Sequence, residues 1–540
     1  MSGFKLVLAD FADWTSAAGI PQIAYALNKI IRILWVIIWM ILMVVAFYQA
    51  YLIVKKFISY PMIVVTSLDY GPQDFPVITF CNNNPYNYSA IKDLGGPYAE
   101  INNLMESYTA MVSNNYGDIT PDPFQLNIPN TRYEKTEWAN EALVLLASKL
   151  TVAQKEKVTY TFGQIFKICT FNGIPCTVQN FTEYYDATYG RCFQFNTEPS
   201  DYKTLRAGNN FGLTVLMLIN QKETTGEQLF LPTTAVAGAR VGINSKGEDP
   251  AMEAFGINAP VGRETLIGIE FTKISRLKNP YSNCIDSDDE TKNYYPNNTY
   301  TLDLCFRACI QKHIFKTIKC TDPRYGKPST LPYCPVSKLP DLRNLRDSQD
   351  PDHENYFDPL KTCECKPQCY ETDIDTTVTL SQFPTEGHVV LNSKSAGMAF
   401  SCAGSVFTPE ADCIKWYGEN SVLINLYYNG LDYESYTETA SYPFSTATNE
   451  LGGQMSLWLG ISVISVIEFV ALFVVVCMFC TYGRKVKIGP SNEDLEKDHR
   501  IKHVQNLRDE LDAHDKVDQQ LRQRANMRQT QSSVNPATTD

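Results

Sequence analysis

The sequence is poor in positive charge and in histidine. Its 540 residues include 47 Lys and Arg against 59 Asp and Glu, and only 6 His. A formal net charge of −12 at pH 7 gives no indication of nucleic-acid binding. The sequence also lacks a nucleophile elbow, an H-E-x-x-H motif and a P-loop. Because these motifs carry common enzyme chemistries, their absence argues against an enzyme.

Charged residues are almost absent from two long segments. Residues 33–54 contain none, and residues 455–482 contain only Glu468. Apolar runs of about 18 residues or more are typical of membrane-spanning helices, so two buried helices of a soluble protein are the disfavoured alternative. The first run starts too late and is too long for a cleaved signal peptide. We therefore predict that the chain crosses the membrane twice.

Most cysteines lie between these two runs. They are Cys81, Cys169, Cys176, Cys192, Cys284, Cys305, Cys309, Cys320, Cys334, Cys363, Cys365, Cys369, Cys402 and Cys413. An even, dense set in one segment indicates disulfides in an oxidising compartment. Zinc ligation by the clusters at 305–309 and 363–369 is disfavoured, because their spacings miss the usual C-x2-C. Cys477 and Cys480, at the end of the second run, are either inert thiols, which we favour, or palmitoylation sites.

Three N-glycosylation sequons, which begin at Asn87, Asn180 and Asn297, lie in the same segment. Cysteines and sequons together predict that this segment is extracellular and that both termini are cytosolic, in the plasma membrane. The basic cluster at 484–487 agrees with this orientation. The predicted organisation is a cytosolic segment (1–32), a first span (33–54), an extracellular domain (55–453), a second span (454–482) and a partly disordered cytosolic tail (483–540).

The extracellular segment mixes strand-like and helix-like patterns, which predicts an α+β domain. In the tail, residues 493–523 could form a helix of mixed charge. The predicted elements are strands within 61–80, 205–275 and 420–428, helices at 136–150 and 301–317, and a Pro/Asp-rich loop near 335–360.

The second apolar run carries the residues that suggest chemistry. A charged residue inside a span, here Glu468, is costly and usually faces water or a helix bundle. A Glu paired with a polar group of a neighbouring helix is the structural alternative. Six to eight residues earlier, Gly460-Ile461-Ser462 provides small residues where a helix can break or approach a neighbour closely. Carbonyl and hydroxyl oxygens exposed there would suit a small cation, and a ring of Glu468 side chains would attract cations.

Four stretches of sequence resemble the degenerin/epithelial sodium channel family. They are E-L-G-G-Q-M-S-L-W-L-G-I-S at 450–462, F-P-V-I-T-F-C-N at 75–82, Y-G-R-C-F-Q-F-N at 189–196, and the start of a Cys-rich region at 300–309. The chain is identified as a member of this family over residues 11–485, most similar to the invertebrate peptide-gated and acid-sensing channels. The resemblance implies that Gly460, Ile461 and Ser462 form a sodium-selectivity filter and that amiloride blocks the channel. Sodium would be the permeant ion, and no cofactor or metal is implied.

The resemblance also implies a fold: a homotrimer in which each subunit has two transmembrane helices and a disulfide-rich ectodomain with palm, thumb, finger, knuckle and β-ball parts. It implies six disulfides, and we pair the two remaining cysteines, Cys402 and Cys413, by parity alone. The implied pairs are Cys81–Cys192, Cys169–Cys176, Cys284–Cys369, Cys305–Cys365, Cys309–Cys363 and Cys320–Cys334.

Gating residues carry over in the same way. The resemblance implies an aromatic contact between Tyr60 and Tyr281, where acid-sensing members carry Trp at the second position. Ordinary packing is the alternative for every gating residue. The remaining gating positions are Leu431 and Asp432 in a linker tied to desensitisation, Asn449 at the degenerin site, and Gly452 and Gly453 at the start of the second span.

The chain departs from the family at the cytosolic His-Gly motif, which is Ala18-Gly19 here. Gly19 can still make the turn, but the chain lacks the imidazole on which His-dependent gating relies in the family. The chain also lacks the His pair that follows the first span in acid-sensing members.

The opening stimulus is therefore inferred by elimination. Only His313, His353 and His388 lie between the spans, which leaves little material for a His-based proton switch. The acidic cluster at 286–290 could sense protons, although a solvated loop is favoured. An acidic ectodomain rich in Tyr and Phe suits a short amidated peptide of the FMRFamide type. Proton gating and constitutive activity are the alternatives within the family, and a two-span binding receptor without channel activity is the alternative outside it.

Overall fold

The computed structural model describes residues 7–9, 11–12, 14–198, 202–222, 228–347, 356–385, 410–482, 507–508, 510–511 and 513–523. Two compact units can be distinguished. The membrane-helix unit comprises Met1–Pro61 together with Ser441–Asp540, and the sheet unit comprises Met62–Ala440. Cys402, His353, His388 and the basic cluster at 484–487 lie outside the described residues, as does most of the tail.

The α-helices are α1 (Ile20–Tyr25), α2 (Lys29–Ile58), α3 (Tyr88–Asp93), α4 (Ala99–Ser113), α5 (Arg132–Ala147), α6 (Val152–Val158), α7 (Phe162–Ile165), α8 (Met252–Phe255), α9 (Asp289–Tyr294), α10 (Leu302–Ile318), α11 (Leu339–Asp347), α12 (Pro359–Thr362), α13 (Glu410–Asn420), α14 (Phe444–Leu459) and α15 (Val463–Tyr482). Short 3-10 turns occur at Gly96–Tyr98, Val178–Asn180, Asn209–Phe211 and Val336–Lys338. In the tail, the described residues between 507 and 523 are helical.

The strands are β1 (Met62–Tyr70), β2 (Gln73–Asp74), β3 (Val77–Asn82), β4 (Phe166–Phe171), β5 (Ile174–Pro175), β6 (Phe181–Asp186), β7 (Gly190–Phe195), β8 (Lys203–Thr204), β9 (Leu213–Leu218), β10 (Gly238–Asn244), β11 (Ile257–Pro260), β12 (Arg263–Ser275), β13 (Tyr370–Gln382), β14 (Ser421–Tyr428) and β15 (Asp432–Ala440).

Helix α2 spans the first apolar run and exceeds it at both ends. The side chain of Asn28 accepts a hydrogen bond from the Ile30 N–H, which starts the helix, and Ala46 is its buried residue. Among the described residues, α2 is the one helix that is long and apolar enough to cross a membrane by itself. Helices α14 and α15 meet the same criterion together, as a pair bent by 78°.

A large mixed sheet forms the centre of the sheet unit. Its strand order is β1-β15-β12-β14-β9-β4-β5, with β13 paired to β12. Strand β12 runs parallel to β14 and β15, whereas the other pairs in this sheet are antiparallel. A second sheet has the order β11-β10-β3-β7-β6. The expected strand at 61–80 is interrupted at Pro72 and Pro76, because proline has no N–H to donate to a ladder.

Aromatic side chains fill the core that the two sheets share. Phe75, Phe80, Phe166, Phe193 and Phe195 are all less than 3 % exposed and belong to one cluster. Their rings meet at angles near perpendicular in several pairs, for example at 82° between Phe80 and Phe166. Such edge-to-face contacts are favoured by the ring quadrupoles.

A second core lies among helices α4, α5, α10 and α11. Helix α11 corrects the prediction of a loop near 335–360. Leu339, Leu342 and Leu345 lie three residues apart and are at most 5 % exposed, so one helix face is buried, and Leu339 and Leu342 belong to this core. Proline is tolerated at the second position of a helix, and Pro340 occupies that position here.

Candidate functional site

The second apolar run is a broken helix. Helix α14 ends at Leu459 and α15 starts at Val463, which leaves residues 460–462 outside both helices. Gly460 adopts φ 63° and ψ 19°, the left-handed conformation that glycine reaches without strain. The N–H groups of Gly460 and Ile461 return to the carbonyls of Ser456 (2.9 Å) and Met455 (3.4 Å), as in a Schellman cap. The Ser462 carbonyl accepts the Val466 N–H at 3.1 Å and so begins α15, whereas the carbonyls of Gly460 and Ile461 lie in the break between the two helices.

Gly460 also packs tightly against the N-terminal segment. A Cβ built on Gly460 would lie 2.5 Å from the Cβ of Ala18. Two nonbonded carbon atoms cannot approach so closely, so Gly460 is required here by space as well as by φ. Ala18 occupies the position where the family carries His, and its small side chain fits directly against the break.

The Glu468 carboxylate is held by the N-terminal segment. Its Oε2 atom accepts hydrogen bonds from the Thr15 hydroxyl (2.9 Å), the Ser16 N–H (2.7 Å) and the Ser16 hydroxyl (3.1 Å). Glu468 is 8 % exposed. A buried carboxylate requires such donors, because burial without them is strongly unfavourable. This geometry matches the structural alternative for Glu468, a pairing with polar groups of a neighbouring segment.

Serine hydroxyls connect this carboxylate with the helix break. The Ser465 Oγ lies 2.7 Å from the Ser16 Oγ and 3.3 Å from the Ser462 Oγ, and it accepts the Ser462 N–H at 3.1 Å. Ser465 is fully buried, whereas Ser462 is exposed. A continuous polar path thus runs from Ser462 through Ser465 and Ser16 to Glu468.

Sequence reasoning missed three members of this path: Thr15, Ser16 and Ser465. A signal for Ser465 was present, since it follows Ser462 by three residues and so lies on the same helix face. Thr15 and Ser16 form a hydroxyl pair just before Ala17-Ala18-Gly19. No local pattern links that pair to Glu468, which is 453 residues away from Thr15.

Gly19 forms a turn that packs against Trp39 of the first membrane helix. Its φ is 89°, and a Cβ there would lie 2.6 Å from Cδ1 of Trp39. Gly19 immediately precedes α1, and its N–H donates to the Gln22 side chain at 3.0 Å. The turn expected at Gly19 thus has a physical basis in this structure.

The other predicted gating residues belong to separate elements. Tyr60 follows α2 with φ 46° and its ring lies 6.3 Å from that of Phe57. Asn449 is exposed on α14, as are Gly452 and Gly453, which have open space around them. Tyr281 is in a turn where its N–H donates to the Lys278 carbonyl at 3.2 Å. Their gating roles remain predictions.

Leu431 and Asp432 lie where the linker meets β1. Leu431 is buried, and its carbonyl accepts the Gly71 N–H and the Gln73 Nε2–H, both at 3.2 Å. Asp432 is paired with Tyr70 in the β1–β15 ladder. The structure therefore brings the linker together with the segment that follows β1.

Six disulfides join the same cysteine pairs that the family resemblance implies. They are Cys81–Cys192, Cys169–Cys176, Cys284–Cys369, Cys305–Cys365, Cys309–Cys363 and Cys320–Cys334. The zinc alternative is wrong, because the sulfurs that it requires are bonded to each other. The Cys402–Cys413 pair remains a prediction, since Cys402 lies outside the described residues. Cys477 and Cys480 are free and exposed on α15.

The three sequons differ in their surroundings. Asn297 is exposed. The Asn180 Nδ2 atom, to which a sugar would be attached, donates to the Tyr202 hydroxyl at 2.6 Å. The Asn87 side chain caps α3 through its oxygen atom, which accepts the Ser89 N–H at 3.0 Å.

Three carboxylates of the acidic cluster at 286–290 have partners, namely Asp286, Asp288 and Glu290. Asp286 contacts Lys278 at 2.5 Å and Glu290 contacts Lys312 at 2.7 Å. Partial burial acts to raise the pKa of Asp288, but hydrogen bonds from Thr291 outweigh it and lower the pKa. Ordinary structural capping and pairing explain this cluster.

A long apolar helix, a second one broken at Gly-x-Ser, and a disulfide-rich mixed sheet are the features expected of a membrane protein of this kind. Residues 11–472 match the model of the amiloride-sensitive sodium channel family. The chain belongs to this family, the degenerin/epithelial sodium channels, whose members are ion channels and not enzymes.

Several curated proteins are similar to the chain over long stretches. Degenerin-like protein asic-2 of Caenorhabditis elegans is 38 % identical over 94 % of this chain and 94 % of its own length. Epithelial sodium channel subunit beta-2 of Xenopus laevis is 25 % identical over 88 % and 84 %. Degenerin unc-8 of C. elegans is 28 % identical over 73 % of this chain, which spans 47 % of that longer protein.

Proposed function

We propose that three copies of this chain form a sodium-selective channel whose filter is Gly460, Ile461 and Ser462. Family membership supports sodium conduction. The observation that carries the proposal is the break in the second membrane helix at these three residues. Backbone outside helical bonding at membrane depth is tolerated where it lines water or protein. Around a threefold axis, the oxygens of the break could replace the water shell of a small cation.

Glu468 acts in this proposal mainly as a support. Its carboxylate takes three hydrogen bonds from Thr15 and Ser16, so the N-terminal segment is fixed beside the filter. A ring of Glu468 charges that faces the ions remains a further prediction. Either role keeps negative charge near the inner side of Ser462, which favours cations over anions.

The exposed apolar surface of strand β1 supports the proposed assembly. Strand β1 is apolar and mostly exposed, with Ile63 51 % and Leu68 72 % exposed in the single chain. A large exposed apolar surface usually marks an interface, which supports burial of β1 between copies. The homotrimer would lie in the plasma membrane with its disulfide-rich sheet unit outside and both termini in the cytosol. Block by amiloride is part of the same proposal.

A short amidated peptide of the FMRFamide type is the proposed opening stimulus. The sheet unit contains a cavity of about 360 Å³ lined by Tyr184, Asp186, Asp249, Glu253, Tyr295 and Tyr325, among other residues. Aromatic rings and carboxylates suit a ligand that is aromatic and cationic. Arg307 and Arg324 also line the cavity. Arg307 pairs with Asp249 (3.0 Å), and Arg324 pairs with Asp322 (2.7 Å) and Glu253 (3.9 Å), so Asp186 is the carboxylate that we expect the peptide to approach.

Proton gating is the second candidate, and buried carboxylates favour it. Burial raises the pKa of Asp186, Glu137 and Glu248 above the usual range, so these groups take up protons in milder acid. His313 contributes little, because burial followed by the charge of Lys316 lowers its pKa. Constitutive activity is a further alternative within the family. Family membership does not favour the receptor alternative.

Voltage clamp of cells that express the chain alone tests the proposal. We expect an amiloride-sensitive sodium current on application of amidated Phe-Met-Arg-Phe at constant pH, and a loss of sodium preference in Ser462→Trp. A current evoked by an acid step but not by peptide would replace peptide gating with proton gating. An unchanged ion preference in a conducting Ser462→Trp variant would overturn the proposed filter.

A further inference from the structure

The outer end of α2 is tied to the start of the second membrane helix by contacts within the membrane-helix unit. The Ser441 N–H donates to the Pro61 carbonyl at 2.9 Å. The rings of Phe57 and Phe444 lie 6.1 Å apart at 63°. The Lys56 Nζ atom lies 4.1 Å from the centroid of the Tyr442 ring. The last of these contacts involves a charged residue, and its aromatic partner Tyr442 also contacts a residue of α14.

Tyr442 bridges a cation and an anion. Its ring is buried, with 2 % of its surface exposed, and presents a face to Lys56. Its hydroxyl donates a hydrogen bond to the carboxylate of Glu450 in the second turn of α14. The ring therefore connects Lys56 on α2 with Glu450 on α14.

The Tyr442 hydroxyl keeps its proton across physiological pH. The hydrogen bond to Glu450, then burial, then the Glu450 charge raise the pKa of Tyr442 to about 12. A group whose pKa is raised on folding contributes stability that is present below its unfolded value and lost as pH rises through its folded value. The Tyr442 hydroxyl thus remains a donor up to alkaline pH.

The two halves of the bridge strengthen each other. A phenol that donates to a carboxylate gains electron density, and a cation is attracted to the negative face of an aromatic ring. Hydrogen-bonded groups in series polarise one another, so loss of one partner weakens the remaining contact. Lys56, Tyr442 and Glu450 are expected to act as one unit rather than as two independent contacts.

We propose that Lys56, Tyr442 and Glu450 form a clasp that positions the outer end of the pore helix against the first membrane helix. The proposal rests on the channel function proposed above. When α14 moves relative to α2, the clasp must break or re-form, so it biases the equilibrium between conducting and closed states. Lys55 provides a matched control, since it has the same chemistry but is rotated by about 100° around α2.

A double-mutant cycle on the purified full-length chain in detergent tests the clasp. We expect Lys56→Gln to lower the melting temperature in the parent and to have a smaller effect in Glu450→Gln or Tyr442→Phe, because each of these removes the hydrogen bond that polarises the ring. Tyr442→Phe keeps the buried ring and removes only the hydroxyl, so we expect this variant to fold like the parent. Lys55→Gln should act additively with every other substitution.

The functional arm measures sodium current per surface channel, without stimulus and with amidated Phe-Met-Arg-Phe or an acid step. Lys56→Gln should change the ratio of unstimulated to maximal current by roughly twofold to fivefold, the range of an exposed cation–π contact, and Lys55→Gln should not. Additive melting shifts, or equal effects of Lys55→Gln and Lys56→Gln, would overturn the clasp. Absence of any current from the unmutated chain would count against the proposed function, whereas the melting cycle still decides on the clasp.

Discussion

At the scale of single residues, the hydrogen bonds from Thr15 and Ser16 to the Glu468 carboxylate can be tested directly by mutation. The carboxylate receives three donors from two adjacent residues of the N-terminal segment. Hydrogen bonds to charged groups contribute about 1.5–3 kcal/mol each when a buried partner would otherwise stay unsatisfied. Ser16 has a double role, because its hydroxyl also contacts Ser465.

We expect the double substitution Thr15→Val with Ser16→Ala to weaken the filter. Two hydroxyl donors to Glu468 are lost, and the backbone N–H of residue 16 remains. The sodium-to-potassium permeability ratio, from bi-ionic reversal potentials, should fall severalfold, and the full-length chain should melt at a lower temperature. Ser456→Ala on the exposed face of α14 serves as a control. An unchanged permeability ratio in the double variant would show that the hydroxyl donors to Glu468 do not influence selectivity at the filter.

Asp186 provides a test of pH dependence. Burial raises its pKa, and the N–H groups of Thr188 (2.8 Å) and Tyr189 (2.9 Å) only partly oppose this. The folded chain therefore holds the proton more tightly than the unfolded chain, and stability falls as pH rises from the unfolded value of about 4 through the raised folded value. Asp186→Asn should flatten this part of the pH profile in thermal melts of the full chain. Asp93→Asn, at an exposed aspartate, should leave the slope intact.

At the scale of elements, the bent pair of α14 and α15 depends on one glycine. Gly460→Ala would force Cβ into a left-handed residue, at about 1–2 kcal/mol, and against the Cβ of Ala18. We expect lower melting temperature and reduced sodium selectivity. Ala18→Gly removes the opposing Cβ, so the Ala18→Gly/Gly460→Ala pair should recover part of the loss. Gly452→Ala, in open space within α14, should not lower the melting temperature. Failure of Ala18→Gly to restore anything would argue against the close contact.

Periodicity predicted several elements well and missed others, among them helix α11 and strand β13. The helices at 132–147 and 302–318 and the strand at 421–428 lie close to their predicted positions. Helix α11 was missed because Pro340 and nearby Asp residues masked the three-residue spacing of its leucines. The break at Gly460 was open to sequence reasoning, since glycine marks it locally. The partners of Glu468 were not, because the contact joins segments that are distant in the chain.

At the scale of the whole molecule, glycosylation tests the side of the membrane on which the sheet unit lies. Asn297 is the most accessible of the three sequons, whereas the Asn180 amide is engaged with Tyr202. We expect Asn297→Gln to remove one endoglycosidase-sensitive shift on gels. We expect lower occupancy at Asn180 because of this contact, so Asn180→Gln should have a smaller effect. A chain without any sugar, whose sheet unit is protected from external protease in intact cells, would contradict the proposed topology.

The ladder between β12 and β13 has a mechanical consequence. Its register is continuous from Arg263 with Gln382 to Ser275 with Tyr370, a length of about 40 Å for 13 residues. At its far end, the disulfide Cys284–Cys369 and the Arg276–Glu371 ion pair (2.6 Å) hold the two strands together, and the disulfide Cys305–Cys365 links helix α10 to the segment that precedes β13. A continuous ladder resists bending along its strands. A displacement of α10 would therefore be transmitted along the whole ladder. A ligand that displaces one end of the ladder would thus displace the other end, near Arg263 and Gln382, without rearrangement of an intervening loop.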